Sequence, residues 1–130
     1  MVLFRITAMK TVLLVEDNDL NRQIISAFIE INKYVPVAAA SAEEAFQLLE
    51  GTTLPDLILM DIMLPGMDGI TAVRKIKANS RWRDVPVLAM SAYSMDEDIQ
   101  AARDAGCSDY IIKPAVLKIF SKTINKYLSP

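Results

Sequence analysis

The sequence predicts an α/β domain built on a parallel sheet, and three observations carry that expectation. Short runs rich in branched apolar residues alternate with longer stretches of helical period. Those runs are apolar throughout instead of alternating with polar residues, as expected when helices cover both faces of the sheet. The 130 residues, 52% of them hydrophobic and 23% charged, suffice for one self-supporting core without staples.

Five strands are expected, at 10–15, 35–39, 56–60, 85–89 and 109–112. After the first, Leu20, Ile24, Phe28 and Ile31 recur at helical spacing and should form the buried face of a helix. Ser41-Ala42-Glu43-Glu44 reads as a capping box that opens a second helix. A third follows Gly69, with Ile70, Val73 and Ile76 on one face and Arg74, Lys75 and Lys77 turned away. The fourth runs from about 95 to 105 and stops at Gly106, a residue suited to a left-handed C-terminal position. The last begins after Pro114 and carries Leu117, Phe120, Ile124 and Leu128. No linker or repeat interrupts this order, so 10–130 is expected to be one domain with no room for an output domain. Residues 1–9 are an N-terminal extension, either an extended translation start or an extra strand that packs on a partner.

What the chain lacks excludes several chemistries. Without histidine it cannot run Ser-His or Cys-His catalysis, build an imidazole metal site or carry a phosphohistidine. Its single cysteine, Cys107, cannot form an internal disulfide or a multi-thiolate site and reads as a small buried hydrophobe in a cytoplasmic protein. A net charge of −2 offers no footprint for nucleic acid, so Arg74, Lys75, Lys77, Arg81 and Arg83 around Trp82 read as a solvated helix face and loop. No apolar run is long enough for membrane insertion, and the first ten residues do not make a signal peptide. The methionines at 60, 63, 67, 90 and 95 read as gap-filling and loop packing.

Polar residues fall where the strands end. The first strand runs into Glu16-Asp17, the third into Asp61, the fourth into Ser91 and the fifth into Lys113, whereas the second ends in alanines and suits an edge. In a parallel sheet these ends share one rim, which is where ligands bind. Two carboxylates about 4 Å apart repel by up to ~4 kcal/mol at an effective dielectric near 20. Three carboxylates against one ammonium leave a local formal charge of −2, which a divalent cation would neutralise. All-oxygen donors favour a hard ion, and carboxylates shared with waters and a phosphoryl group favour Mg²⁺, with Mn²⁺ as a substitute. With Lys113 as a point charge and Ser91 as a hydroxyl donor, the set is equipment for phosphoryl transfer to Asp61.

The runs VLLVEDN, DLILMDIMLPGMDG, PVLAMSA and DYIIKP, with 30 residues from Asp61 to Ser91 and 22 from Ser91 to Lys113, resemble the receiver domain of bacterial two-component response regulators. The resemblance spans nearly the whole chain from Met9 to Tyr127. It implies a doubly wound, CheY-like sheet of order 2-1-3-4-5, with Asp61 as phosphoacceptor for a sensor histidine kinase or phosphotransfer protein. It also implies that Asp17, Asp61 and the Met63 carbonyl ligate Mg²⁺, with Glu16 acting mainly through water. Lys113 would pair with Asp61 or its phosphoryl group, ahead of a cis peptide to Pro114. Ser91 and Tyr110 would form a switch that changes the surface of the fourth helix, fifth strand and fifth helix, for a downstream protein target. Met63 and Tyr93 would flank the path of attacking water and slow self-dephosphorylation. Glu16 stands where the family often has aspartate, and Ser91 where it often has threonine; both keep the needed oxygen.

Taken singly, these residues have plainer roles: Asp61 a cap, Glu16-Asp17 a solvated turn, Ser91 an N-cap, Lys113-Pro114 a helix entry and Tyr110 half-buried packing. Together they favour a stand-alone receiver, monomeric or weakly dimeric, without nucleic acid as partner. A constitutive receiver-fold module that is never phosphorylated stays open, as does a receiver fragment of a hybrid kinase. A haloacid-dehalogenase-like phosphatase is disfavoured because Met63 stands where that family needs a second aspartate. A dinucleotide site is disfavoured because EDNDLN contains no glycine.

Overall fold

The computed structural model describes residues 9–51 and 53–129. Most of the expected N-terminal extension, residues 1–8, lies outside the described residues. The elements are β1 (Thr11–Val15), α1 (Asp19–Ile31), β2 (Val35–Ala39), α2 (Ala42–Leu49), β3 (Leu57–Asp61), α3 (Gly69–Ala78), β4 (Val87–Ser91), α4 (Asp96–Ala105), β5 (Asp109–Ile112) and α5 (Leu117–Leu128). All strand pairings are parallel and the order is β2-β1-β3-β4-β5, the doubly wound arrangement expected.

The pleat sorts the apolar strand residues into two cores. Leu13, Val15, Ile58, Met60, Val87 and Ala89 point to one face, where α2, α3 and α4 cover them with Ala45, Leu49, Val73, Ile76 and Ala102. Val12, Leu14, Leu57, Leu59, Leu88 and Met90 point to the other, against Ile25 and Ile29 of α1 and Phe120, Ile124 and Leu128 of α5. Strands buried on both faces are why no polar alternation shows in the sequence.

Two strands lie slightly further along the chain than expected. β3 covers Leu57–Asp61 instead of 56–60, because Asp56 is occupied in closing the sheet's lower end: its carboxylate accepts from Thr11 N–H at 2.8 Å. β4 covers Val87–Ser91 instead of 85–89, because Val85 N–H donates into a turn to Trp82 and Pro86 has no N–H to give. Asp61 and Ser91 are therefore the last residues of their strands. At the edge, Val35 N–H donates to the Lys10 carbonyl at 2.9 Å, which fixes the register of β2 on β1.

The helix α1 corrects an expectation. Leu20 is 64% and Ile31 58% exposed, Ile24 is exposed too, and the buried residues are Ile25 and Ile29. The two stripes lie one residue, or about 100°, apart on the helix, and the second faces the sheet. Phe28 borders both, edge-on to Phe120 with centroids 5.6 Å apart. Ser41 Oγ accepts from Glu44 N–H at 3.1 Å as expected, but the Glu44 carboxylate accepts from Ala40 N–H at 3.2 Å, one residue before the cap, so only half of the expected capping box forms; Gly106 closes α4 with φ of 119° as expected.

The basic segment around Trp82 also differs from a solvated loop. Arg81 Nη1 and Trp82 Nε1 both donate to the Leu49 carbonyl, at 3.0 and 3.1 Å, and Arg81 Nη2 donates to Gly51. They cap the C-terminus of α2, where carbonyls lack partners and the helix dipole favours cations. The buried Trp82 ring stacks on Phe46. Lys77 donates to the Arg83 and Val85 carbonyls at 3.0 and 2.8 Å instead of standing in solvent. Cys107 is buried, and burial pushes its thiol up to about 11, which makes it inert.

Candidate functional site

The site lies on the carboxyl rim of the sheet, where β1 hands the chain to the edge strand β2 on one side while β3 and β4 continue on the other. Glu16 and Asp17 follow β1, Asp61 ends β3, Ser91 ends β4, and Lys113 follows β5. Ladder hydrogen bonds run on past the strands and fix these positions: Glu16 N–H to Ala39 at 3.0 Å, Ile62 N–H to Met90 at 3.0 Å, and Lys113 N–H to Ser91 at 2.8 Å.

Each of Glu16, Asp17 and Asp61 offers a carboxylate oxygen within 4.8 Å of the others. Glu16 is 1% and Asp61 3% exposed, while Asp17 is exposed. The Lys113 ammonium reaches Glu16 Oε1 at 2.6 Å and Asp61 Oδ2 at 3.1 Å. The remaining oxygens are also held: Asp61 Oδ1 accepts from Met63 N–H at 3.0 Å and Glu16 Oε2 from Asn18 N–H at 3.2 Å. Buried Ser91 accepts at Oγ from Tyr93 N–H at 3.0 Å, which leaves its own hydrogen to donate. Tyr110 is half-buried and donates its hydroxyl to the Tyr93 carbonyl at 2.7 Å. Met63 and Tyr93 are exposed at the mouth, and the Lys113–Pro114 peptide is cis.

Burial pushes the Glu16 carboxyl above its ordinary range; the Lys113 hydrogen bond opposes this, and neighbouring Asp61 adds to it. Burial alone would weaken the Lys113 ammonium, but the Glu16 and Asp61 carboxylates outweigh it and raise its pKa. Both directions describe one pocket in which negative charge is in excess and positive charge is favoured. Crowded all-oxygen donors of this kind fit a hard divalent cation.

Three supporting residues were not among the expected ones. Asn18 caps α1 through Oδ1 on Asn21 N–H at 2.8 Å, and its position before an apolar period was the available signal. Gly69 opens α3 so close to the acid that an added Cβ would stand 2.3 Å from the Asp61 carbonyl oxygen and 2.6 Å from Ile62 Cα. Arg22 donates Nη1 to the Glu16 and Asp17 carbonyls, at 2.9 and 3.3 Å.

A 2-1-3-4-5 sheet with an acidic pocket and a bridging lysine at its switch point defines a receiver of the two-component type. Residues 12–125 match the family described as Response regulator receiver domain, and the chain belongs to that family. It is a signalling phosphoacceptor domain by class, and its family implies a histidine kinase as partner. Among curated proteins it is similar to the polar-differentiation response regulator DivK of Brucella ovis, 39% identical over 119 residues that cover 92% of this chain and 96% of that protein. Among solved structures it resembles a putative response regulator from Chloroflexus aurantiacus, with TM-score 0.88 and 28% identity, covering 94% of this chain and 99% of that one. The receiver domain of a Pseudomonas aeruginosa sensor histidine kinase, solved with a magnesium ion coordinated in its active site cleft, gives TM-score 0.85 and 32% identity, covering 95% and 100%. Among the described residues no helix is long and apolar enough to cross a membrane.

Proposed function

We propose that this protein is a cytoplasmic phosphorylation switch in which Asp61 takes a phosphoryl group from a phosphohistidine of a sensor kinase or phosphotransfer protein. An Asp61 carboxylate oxygen forms the new P–O bond as the P–N bond to the donor imidazole breaks, and the imidazole keeps the electron pair. The observation that carries this reading is Lys113 bridging Glu16 and Asp61 beside the exposed Asp17 carboxylate. Asp17, Asp61, the Met63 carbonyl and Glu16 would hold Mg²⁺, or Mn²⁺ in its place, which when bound neutralises charge on the phosphoryl oxygens. Lys113 then has a phosphoryl oxygen to bind, and the free hydrogen of Ser91 can donate to another.

Phosphorylation replaces about one negative charge by nearly two. Two charge-assisted hydrogen bonds, from Ser91 and Lys113, supply roughly 3 to 6 kcal/mol. Shifting a two-state equilibrium from 1:99 to 99:1 takes ~5.5 kcal/mol, so the phosphoryl group suffices to move the population. The peptide of Tyr93 links the parts of the switch, since Ser91 Oγ holds its N–H and the Tyr110 hydroxyl holds its carbonyl. Movement of Ser91 toward a phosphoryl group therefore pulls on Tyr110 and on the surface formed by α4, β5 and α5, where a downstream protein target would read it.

The test is incubation with acetyl phosphate and Mg²⁺ followed by intact mass. Wild type should gain one phosphoryl mass and Asp61→Asn none. No gain in wild type would leave a constitutive interaction module instead. For the switch, Tyr110 should change environment when a beryllofluoride mimic binds; an unchanged Tyr110 rejects the relay.

A further inference from the structure

We propose that Arg22 is the positioning residue for the cation-binding carboxylates, acting on the Glu16–Asp17 backbone. The inference rests on the reading of this pocket as a divalent-cation site and goes beyond it, because Arg22 contributes no ligand atom. Asp17 differs from its two companions in how it is held. Asp61 is the end of a paired strand and Glu16 is locked by Lys113 and Asn18, whereas Asp17 lies beyond the ladder in an exposed link between β1 and α1. Its orientation therefore depends on what fixes the main chain of that link.

Arg22 does this from the first turns of α1. One guanidinium nitrogen, Nη1, spans the carbonyls of Glu16 and Asp17, at 2.9 and 3.3 Å. The other, Nη2, is held by the Asp19 carboxylate, and the Arg22 amide itself donates to Asn18 at 2.9 Å. The rigid fork thus has one side on the helix and the other on the two peptides that carry the acids. A lysine has the charge but not the planar fork, so it cannot keep both attachments in one geometry.

Partners that orient ligating groups typically change metal affinity by about 10- to 100-fold when removed. The experiment is a Mg²⁺ titration followed by amide chemical shifts on wild type, Arg22→Ala and Arg22→Lys, with thermal unfolding of each in EDTA. We expect a dissociation constant raised about tenfold in Arg22→Ala and at least threefold in Arg22→Lys. Wild type that binds no Mg²⁺ overturns the cation site and this inference with it. Wild type that binds, with variants within twofold of it, overturns the inference alone. Full rescue by Arg22→Lys overturns it as well, since charge alone would then suffice. Arg22→Lys preserves charge and helix propensity, so it decides the matter even where Arg22→Ala does not fold.

Discussion

Asp61→Asn should make the metal-free protein more stable, although it removes a residue at the centre of the site. At an effective dielectric near 20, Lys113 at 3.1 Å attracts the Asp61 carboxylate by ~5 kcal/mol, and Glu16, with an oxygen within 4.8 Å, repels it by at least ~3.5 kcal/mol. Asp17 adds a smaller repulsion, since it is exposed and screened. The pair terms nearly cancel, so the cost of dehydrating a buried carboxylate, several kcal/mol, stands largely uncompensated. Asparagine removes that cost, and Lys113 keeps Glu16 at 2.6 Å. Against this, the amide can present its oxygen to only one of the two donors that Asp61 satisfies, Met63 N–H and Lys113, which takes back ~1 kcal/mol. The expected net gain is ~1–2 kcal/mol, or roughly 3–8 °C in Tm for a chain of this size. The assay is urea unfolding in EDTA, read by the fluorescence of Trp82, the only tryptophan in the chain. Mg²⁺ at ten times its dissociation constant should stabilise wild type by ~1.4 kcal/mol and so close the gap. An Asp61→Asn midpoint in EDTA equal to or below that of wild type would refute the claim that the dehydration of the Asp61 carboxylate stands uncompensated in this pocket.

Other outcomes follow from the same geometry. Because burial raises the Glu16 carboxyl above 4.5 in the folded chain, its contribution is full below that value and lost as pH rises through the raised folded value. Unfolding at several pH values should therefore show Glu16→Gln gaining on wild type as pH rises; a constant or shrinking difference argues against burial as the dominant cause. Gly69→Ala must displace the Asp61–Ile62 backbone and should cost ~2–3 kcal/mol, and a loss below ~0.5 kcal/mol in urea unfolding would show that α3 yields freely. Met63→Asn with Tyr93→Ala opens the mouth of the pocket and should speed loss of the phosphoryl group, measured as decay of the phosphorylated mass; equal decay rates remove the idea that these exposed side chains shield it.

The acids, the serine and the lysine were legible before the structure because a parallel sheet converts strand ends into a shared rim, and strand ends are marked by where apolar runs stop. What the linear pattern does not contain is rotation and reach. Leu20, Ile24 and Ile31 obey the helical period as well as Ile25 and Ile29 do, and only the sheet beneath α1 selects between the stripes. Likewise, a cationic loop around Trp82 carries the same composition whether it faces solvent or closes a neighbouring helix, and the choice depends on the free carbonyls of α2 that lie more than thirty residues away. Glu16 is a third case. The sequence shows an acid beside Asp17, but only distance shows that its longer side chain reaches the lysine of the last strand end.

The register of β2 has a consequence for how the molecule behaves among copies of itself. In a parallel ladder alternate residues address the same neighbour, so Val35, Val37 and Ala39 turn their amides to β1, and Pro36 and Ala38 turn theirs to the open side. Proline has no hydrogen to offer there, and Ala38 is left as the lone outward donor of that strand. A foreign strand laid along this margin would meet an interrupted row instead of a template. One imino acid thus protects the flank of a half-apolar chain from backbone-driven polymerisation, at no cost to the pairing on the inner side.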